Sequence, residues 1–130
     1  MNNKEKTKPQ ELTRAELEIM QIAWKLDREF IVRDIYNEIP EPKPAYNTVS
    51  TMIRILDTKG FLTHKTYGHT NVYFTAVSKT EYTGTYMNGV LSSFFDGSVS
   101  RMVNFFSQRK DISMKEADEI LQLMEQFKKN

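Results

Sequence analysis

The chain has 130 residues, of which 39% are hydrophobic and 27% charged, with a formal net charge of +1 and no cysteine. That composition suits one domain, or a small domain with an appended module, and supplies enough apolar material for a core. It excludes disulfides and thiolate metal sites, and no apolar run approaches the roughly 18 residues that span a bilayer.

The N-terminal MNNKEKTKPQE has no apolar segment behind its charges, so it does not read as a secretory signal, and a cytoplasmic protein without membrane insertion is expected. Charge is spread almost evenly. Residues 1–79 carry 12 Lys/Arg against 10 Asp/Glu, or +2, and residues 80–130 carry 6 against 7, or −1. A nucleic-acid surface on this chain must therefore be local.

Residues 1–11 are polar and aperiodic, which predicts a flexible tail. Thr13 and Glu16 then have the spacing of a reciprocal capping box, with Leu12 and Leu17 placed as a hydrophobic staple. The helix they open is expected to reach about Leu26. Its apolar residues Leu17, Ile19, Met20, Ile22, Ala23 and Trp24 cover more than one stripe, so it must be packed on two sides. A short second helix is predicted near Val32–Ile39, with Val32, Ile35, Tyr36 and Ile39 inward. Three of the four prolines follow within Pro40–Pro44, a stiff connector.

The next helix, from about Ala45 to Gly60, has two faces. Val49, Met52, Ile53 and Leu56 form an apolar stripe at i, i+3, i+4 and i+7. Asn47, Ser50, Thr51 and Arg54 form a polar face with no acid before Asp57, and such groups hydrogen-bond to phosphates and base edges. A polar surface helix would fit this stretch taken alone, although such faces usually carry Glu and Lys. Gly60 suits a left-handed C-cap. Leu62–Tyr67 and Val72–Val77 are rich in β-branched and aromatic residues and predict a hairpin turning through Gly68-His69-Thr70-Asn71. Helix, helix, connector, helix and hairpin is the order of a winged helix-turn-helix, whose third helix enters the major groove. In that setting Lys65, Tyr67, His69, Thr70 and Asn71 become candidates for phosphate contacts.

The remainder reads as three helices. Tyr82, Tyr86, Val90 and Phe94 recur every four residues, and Val99, Met102, Val103 and Phe106 repeat the apolar pattern. A second capping box, Ser113 to Glu116, opens a last helix carrying Ala117, Ile120, Leu121, Met124 and Phe127 on one face. About fifty residues in three helices rarely build a sufficient core, so a partner surface is expected. Two-fold self-association is the commonest solution; folding back onto the first domain is the other.

Enzyme chemistry finds no support. The two histidines, His64 and His69, both fall on the hairpin, and there is no metal-spaced cluster, phosphate-cradling glycine loop or nucleophile elbow. No cofactor or metal is expected.

These residues together resemble the penicillinase and methicillin-resistance repressor family of bacteria, which has copper-responsive relatives. The matching stretches are LTRAELEIMQIAWK, AYNTVSTMIRILDTKGFLTHKTYGHTNVYFTA and SRMVNFF with the closing helix, roughly residues 12–127. The resemblance implies a homodimeric winged-helix repressor on palindromic operators, with Thr48 and Thr51 near DNA. Asn47 stands where several relatives have lysine, and Arg54-Ile55 departs from the usual arginine one residue later. The resemblance further implies control by a membrane sensor protease, through cleavage at an Asn-Phe bond for which Asn104-Phe105 is the match. The copper branch uses a cysteine-rich C-terminal tail, which a chain ending FKKN lacks.

The expectation is thus a mainly α protein with a small β-hairpin. It comprises a tail over residues 1–11, a winged helix-turn-helix DNA-binding domain over 12–78 and a helical dimerisation module over 79–130. Asn47, Ser50, Thr51 and Arg54 would face bases and nearby phosphates, while Tyr46, Thr48, Lys65 and His69 hold register on the backbone. Tyr82, Tyr86, Val90, Phe94, Met102, Val103, Phe106, Ile120, Leu121 and Met124 would form the dimer interface. The alternative is a winged helix that docks proteins without binding DNA, for which an acid-free face at Asn47–Arg54 is not needed.

Overall fold

Among residues 11–129, which the computed structural model describes, the first helix α1 (Arg14–Leu26) begins on the predicted capping box. The Thr13 N–H donates to Glu16 Oε1 at 2.9 Å and the Glu16 N–H to Thr13 Oγ1 at 3.1 Å. The helix ends at Asp27, whose φ of 52° is left-handed, a conformation that Asp tolerates better than most residues. The tail expected over residues 1–11 lies, except for Glu11, outside the described residues.

Helix α2 (Val32–Glu38) stops one residue short of the expected Ile39. Its start is held by the Ile31 N–H, which donates to Asp34 Oδ2 at 2.9 Å. Its end is held by the Lys43 ammonium, which folds back from the proline connector to the carbonyls of Tyr36, at 2.9 Å, and Ile39. Helix α3 (Tyr46–Lys59) follows. Gly60 closes it at φ 92°, and the Phe61 N–H reaches the Leu56 carbonyl at 2.9 Å, the bond of a Schellman cap.

The hairpin pairs β1 (Leu62–Tyr67) with β2 (Thr70–Thr75) in antiparallel register, from Leu62 opposite Thr75 to Tyr67 opposite Thr70. Only Gly68 and His69 turn, with Gly68 at φ 62°, so the expected four-residue turn is two residues too long. Thr70 and Asn71 are polar enough to resemble a turn, yet both are paired across the ladder. Phe30 adds a one-residue bridge to β2: its N–H and carbonyl exchange bonds with Tyr73 at 2.9 and 2.7 Å.

The core of this part joins Ile19, Met20 and Ala23 of α1, Ile35 of α2 and Val49, Ile53 and Leu56 of α3 with Phe30, Phe61, Leu62 and Tyr73. The predicted inward stripe of α3 is fully buried at three positions and half-buried at Met52. Burying side chains of this size stabilises by about 1.5–3 kcal/mol each, so this cluster holds α3 rigid and leaves its other face outward.

The chain divides into two compact units after Thr85, within helix α4 (Lys79–Phe95). In the first unit α4 starts on a further capping box, Ser78 with Glu81. Tyr82 packs there against Phe61 and Trp24, with ring centroids 5.7 and 6.2 Å apart. Its hydroxyl accepts the Leu12 N–H at 3.0 Å, and Trp24 Nε1 donates to the Val77 carbonyl at 2.9 Å. The second unit holds the rest of α4, α5 (Val99–Gln108) and α6 (Met114–Lys129). The predicted Ser113–Glu116 box forms at the start of α6. Among the described residues of this unit only Val103 and Ala117 are buried.

Candidate nucleic-acid interface

Because Val49, Ile53 and Leu56 anchor one side of α3, Asn47, Thr51 and Arg54 are exposed on the other, with Ser50 half-buried beside them. Arg54 lies along the helix, its guanidinium donating to Ser50 Oγ at 3.1 Å and Thr51 Oγ1 at 3.3 Å. Three of the four predicted face residues are thereby linked, and the arginine is held along its own helix. Thr48 and Tyr46 are exposed at the start of the helix. The only acid of α3, Asp57, is engaged by His64 Nδ1 of β1. His64 therefore bridges the helix and the hairpin.

His69 stands at the hairpin turn, and Thr66 Oγ1 donates to Asn71 Oδ1 at 2.8 Å just behind it. Lys65 is exposed, 3.6 Å from Glu29 and with its ammonium 5.6 Å from the centre of the Phe74 ring. A surface pair of this kind is weak and leaves the ammonium available. α2, α3 and the hairpin together enclose an open groove of about 280 Å³, lined among others by Arg33, Tyr46, Arg54, His69, Asn71 and Tyr73. Among the described residues no carboxylate lines it. Arg33 was absent from the expected site. Its guanidinium lies 5.2 Å from the centre of the Tyr46 ring, which in turn meets the edge of Tyr36 at 5.3 Å.

Behind the face, Lys59 at the end of α3 closes onto the capping box of α1, donating to both Glu16 oxygens at 2.8 and 2.9 Å. Burial alone would raise the Glu16 pKa, but the Lys59 ammonium and the Thr13 amide and hydroxyl hold it below the usual carboxylate range. This ion pair ties the orientation of the exposed helix to the first helix. Both residues read as ordinary surface or cap positions in sequence, since nothing local signals a partner 43 residues away.

In the second unit Tyr86, Phe94, Phe106 and Leu121 are exposed, Phe94 at 77%, while Val90, Met102 and Ile120 are half-buried and Val103 is buried. The Met124 side chain lies outside the described residues. Tyr82, expected with this group, is engaged within the first unit instead, as described above. Asn104 and Phe105 sit inside α5 and are exposed; Phe105 stacks edge-on against Phe95 at 5.6 Å and Phe106 at 5.4 Å. Among the described residues no helix is long and apolar enough to cross a membrane.

The family model described as penicillinase repressor matches residues 12–126. A penicillinase repressor of Bacillus licheniformis is 27% identical over 119 residues, which cover 91% of this chain and 92% of that protein. A solved structure described as a CopR repressor is 33% identical, with a TM-score of 0.43, over 51% of this chain and 96% of that one.

Proposed function

The chain belongs to the penicillinase repressor family of transcriptional repressors, and from that premise we propose that it acts as a homodimer on a palindromic operator. The observation that carries this reading is the acid-free outer face of α3, on which Arg54 is held by Ser50 and Thr51 and shares a groove with the hairpin turn. In the proposed complex Asn47, Ser50, Thr51 and Arg54 enter the major groove, where an arginine can pair with both acceptors of a guanine. Tyr46, Thr48, Lys65 and His69 meet phosphates and set register. The exposed apolar side chains of the second unit, with only two buried among its described residues, support its role as the dimerisation module.

Control by cleavage at Asn104-Phe105 follows the family resemblance, with a membrane sensor protease as the partner. A cut there would fall between Val103 and Ala117, the buried residues among those described in the second unit. The dimer would loosen, and two half-sites held together bind far more tightly than two separate ones. The bond lies within a formed helix, so α5 must open locally before a protease can take it.

The test is a competition titration of duplex from the protein's own promoter against random duplex at two salt concentrations. Tight, salt-sensitive binding that prefers the promoter is expected. Negligible affinity for any duplex at low salt would overturn the reading and leave the protein-docking alternative.

A further inference from the structure

The groove between α2, α3 and the hairpin contains a cation that none of the expected DNA contacts includes. We propose that it seats one phosphodiester of the DNA backbone and that Arg33 is its anchoring residue, an inference that rests on the operator-binding reading above.

The chemistry of the lining points to an anion. Arg33, Arg54 and His69 contribute ring or guanidinium N–H groups, Ser50, Thr70 and Asn71 add hydroxyl and amide donors, and no carboxylate is present among the described residues. Asp34, the acid next to Arg33 in sequence, is occupied by the Ile31 N–H at 2.9 Å and by Arg28 at 3.6 Å. Among the described residues Arg33 itself has no carboxylate partner; its contact is the Tyr46 ring. A guanidinium held near an aromatic ring keeps N–H groups for a bidentate phosphate contact. Tyr36 meets Tyr46 edge-on at 5.3 Å, so the ring beside the arginine is itself braced by α2. At about 280 Å³, the groove has room for a phosphate with its attached sugar, and it is open for a strand to pass.

The two arginines of the groove then have separate tasks. Arg54 lies along α3 on the face assigned to base edges, its two terminal nitrogens donating to Ser50 and Thr51 until a base replaces them. Arg33 approaches from α2 and meets only the backbone. A base reader changes preference between sequences; a phosphate anchor changes affinity for all of them and carries a counterion term.

Full-length wild type, Arg33→Ala, Arg33→Lys and Tyr46→Leu are titrated on promoter duplex and on random duplex across a salt series. Circular dichroism confirms that each variant is folded. Arg33→Ala is expected to weaken both duplexes by the same factor, about tenfold per half-site. Its plot of log affinity against log salt should flatten by about 0.9 for each lost phosphate contact. Arg33→Lys should restore most of the slope, and Tyr46→Leu should weaken both duplexes without flattening it, since the charge remains. An unchanged slope and affinity in folded Arg33→Ala, with wild type binding normally, would overturn this inference alone. Loss confined to the promoter duplex would also overturn it, making Arg33 a base reader. Failure of wild type to bind either duplex would remove the operator reading and this inference with it.

Discussion

Replacing Glu16 by Gln removes one negative charge from the pair that joins α1 to the end of α3. The carboxylate side chain is 8% exposed and accepts the Lys59 ammonium at 2.8 and 2.9 Å as well as the Thr13 N–H at 2.9 Å. Glutamine keeps an oxygen for Thr13, so the cap survives in part, but its amide cannot satisfy Lys59 on both sides. Breaking a fully buried pair costs about 3–5 kcal/mol. Lys59 is 25% exposed and can turn to water, which brings the expected loss down to about 2 kcal/mol. For a domain of this size that lowers the Tm by roughly 8–16 °C.

The pH dependence supplies the stricter check. An unfolded glutamate titrates near 4.3, and the folded Glu16 carboxyl is held lower, so the pair stabilises fully above that value. As pH falls below about 4.3 the stability gap between wild type and Glu16→Gln should narrow, closing once the folded carboxyl is itself protonated. Urea unfolding followed by circular dichroism from pH 7 down to pH 3 measures it. A gap below about 0.5 kcal/mol at pH 7, or one that stays constant into acid, would refute the assigned role of the pair.

Arg54→Ala should weaken operator binding by about 1–3 kcal/mol and relax preference at one base position; selection from a randomised duplex pool reads both. Lys65→Ala should weaken promoter and random duplex equally and flatten the salt dependence, while equal slopes would remove it from the phosphate contacts. Phe94 and Leu121 are 77% and 47% exposed, so Phe94→Lys and Leu121→Lys should leave helix content unchanged. Each should raise the dimer dissociation constant by at least about tenfold in sedimentation equilibrium. Gly60→Ala meets no neighbouring atom, but φ 92° strains any side chain, so thermal unfolding should show a loss of about 1 kcal/mol.

What was legible in the sequence was local. The boxes at Thr13–Glu16 and Ser113–Glu116 span three residues and form as their spacing predicts. The same spacing at Ser78–Glu81 is equally readable, but it lies against a strand expected through Val77, which hides it. The period of the α3 stripe and Gly60 likewise place the helix and its end. What escaped was non-local or shared between purposes. The Phe30 bridge to Tyr73 is one residue long and has no period to detect. Glu16 finds Lys59, and Arg33 finds Tyr46, only because the fold brings distant segments together. Tyr82 continues the four-residue spacing of Tyr86, Val90 and Phe94, yet it packs on Trp24 and Phe61 while Phe94 stays exposed. One stripe on one helix serves two surfaces, and spacing alone cannot divide it.

The most direct measurement is the mass of the protein–DNA complex at low salt, formed on a full palindromic operator and on a duplex carrying a single half-site. Two α3 faces acting through one dimer predict a complex of two chains per full operator at concentrations where the half-site duplex is scarcely bound. One chain per full operator, or equal affinity for full and half-sites, would contradict the proposal that paired recognition helices read a palindrome.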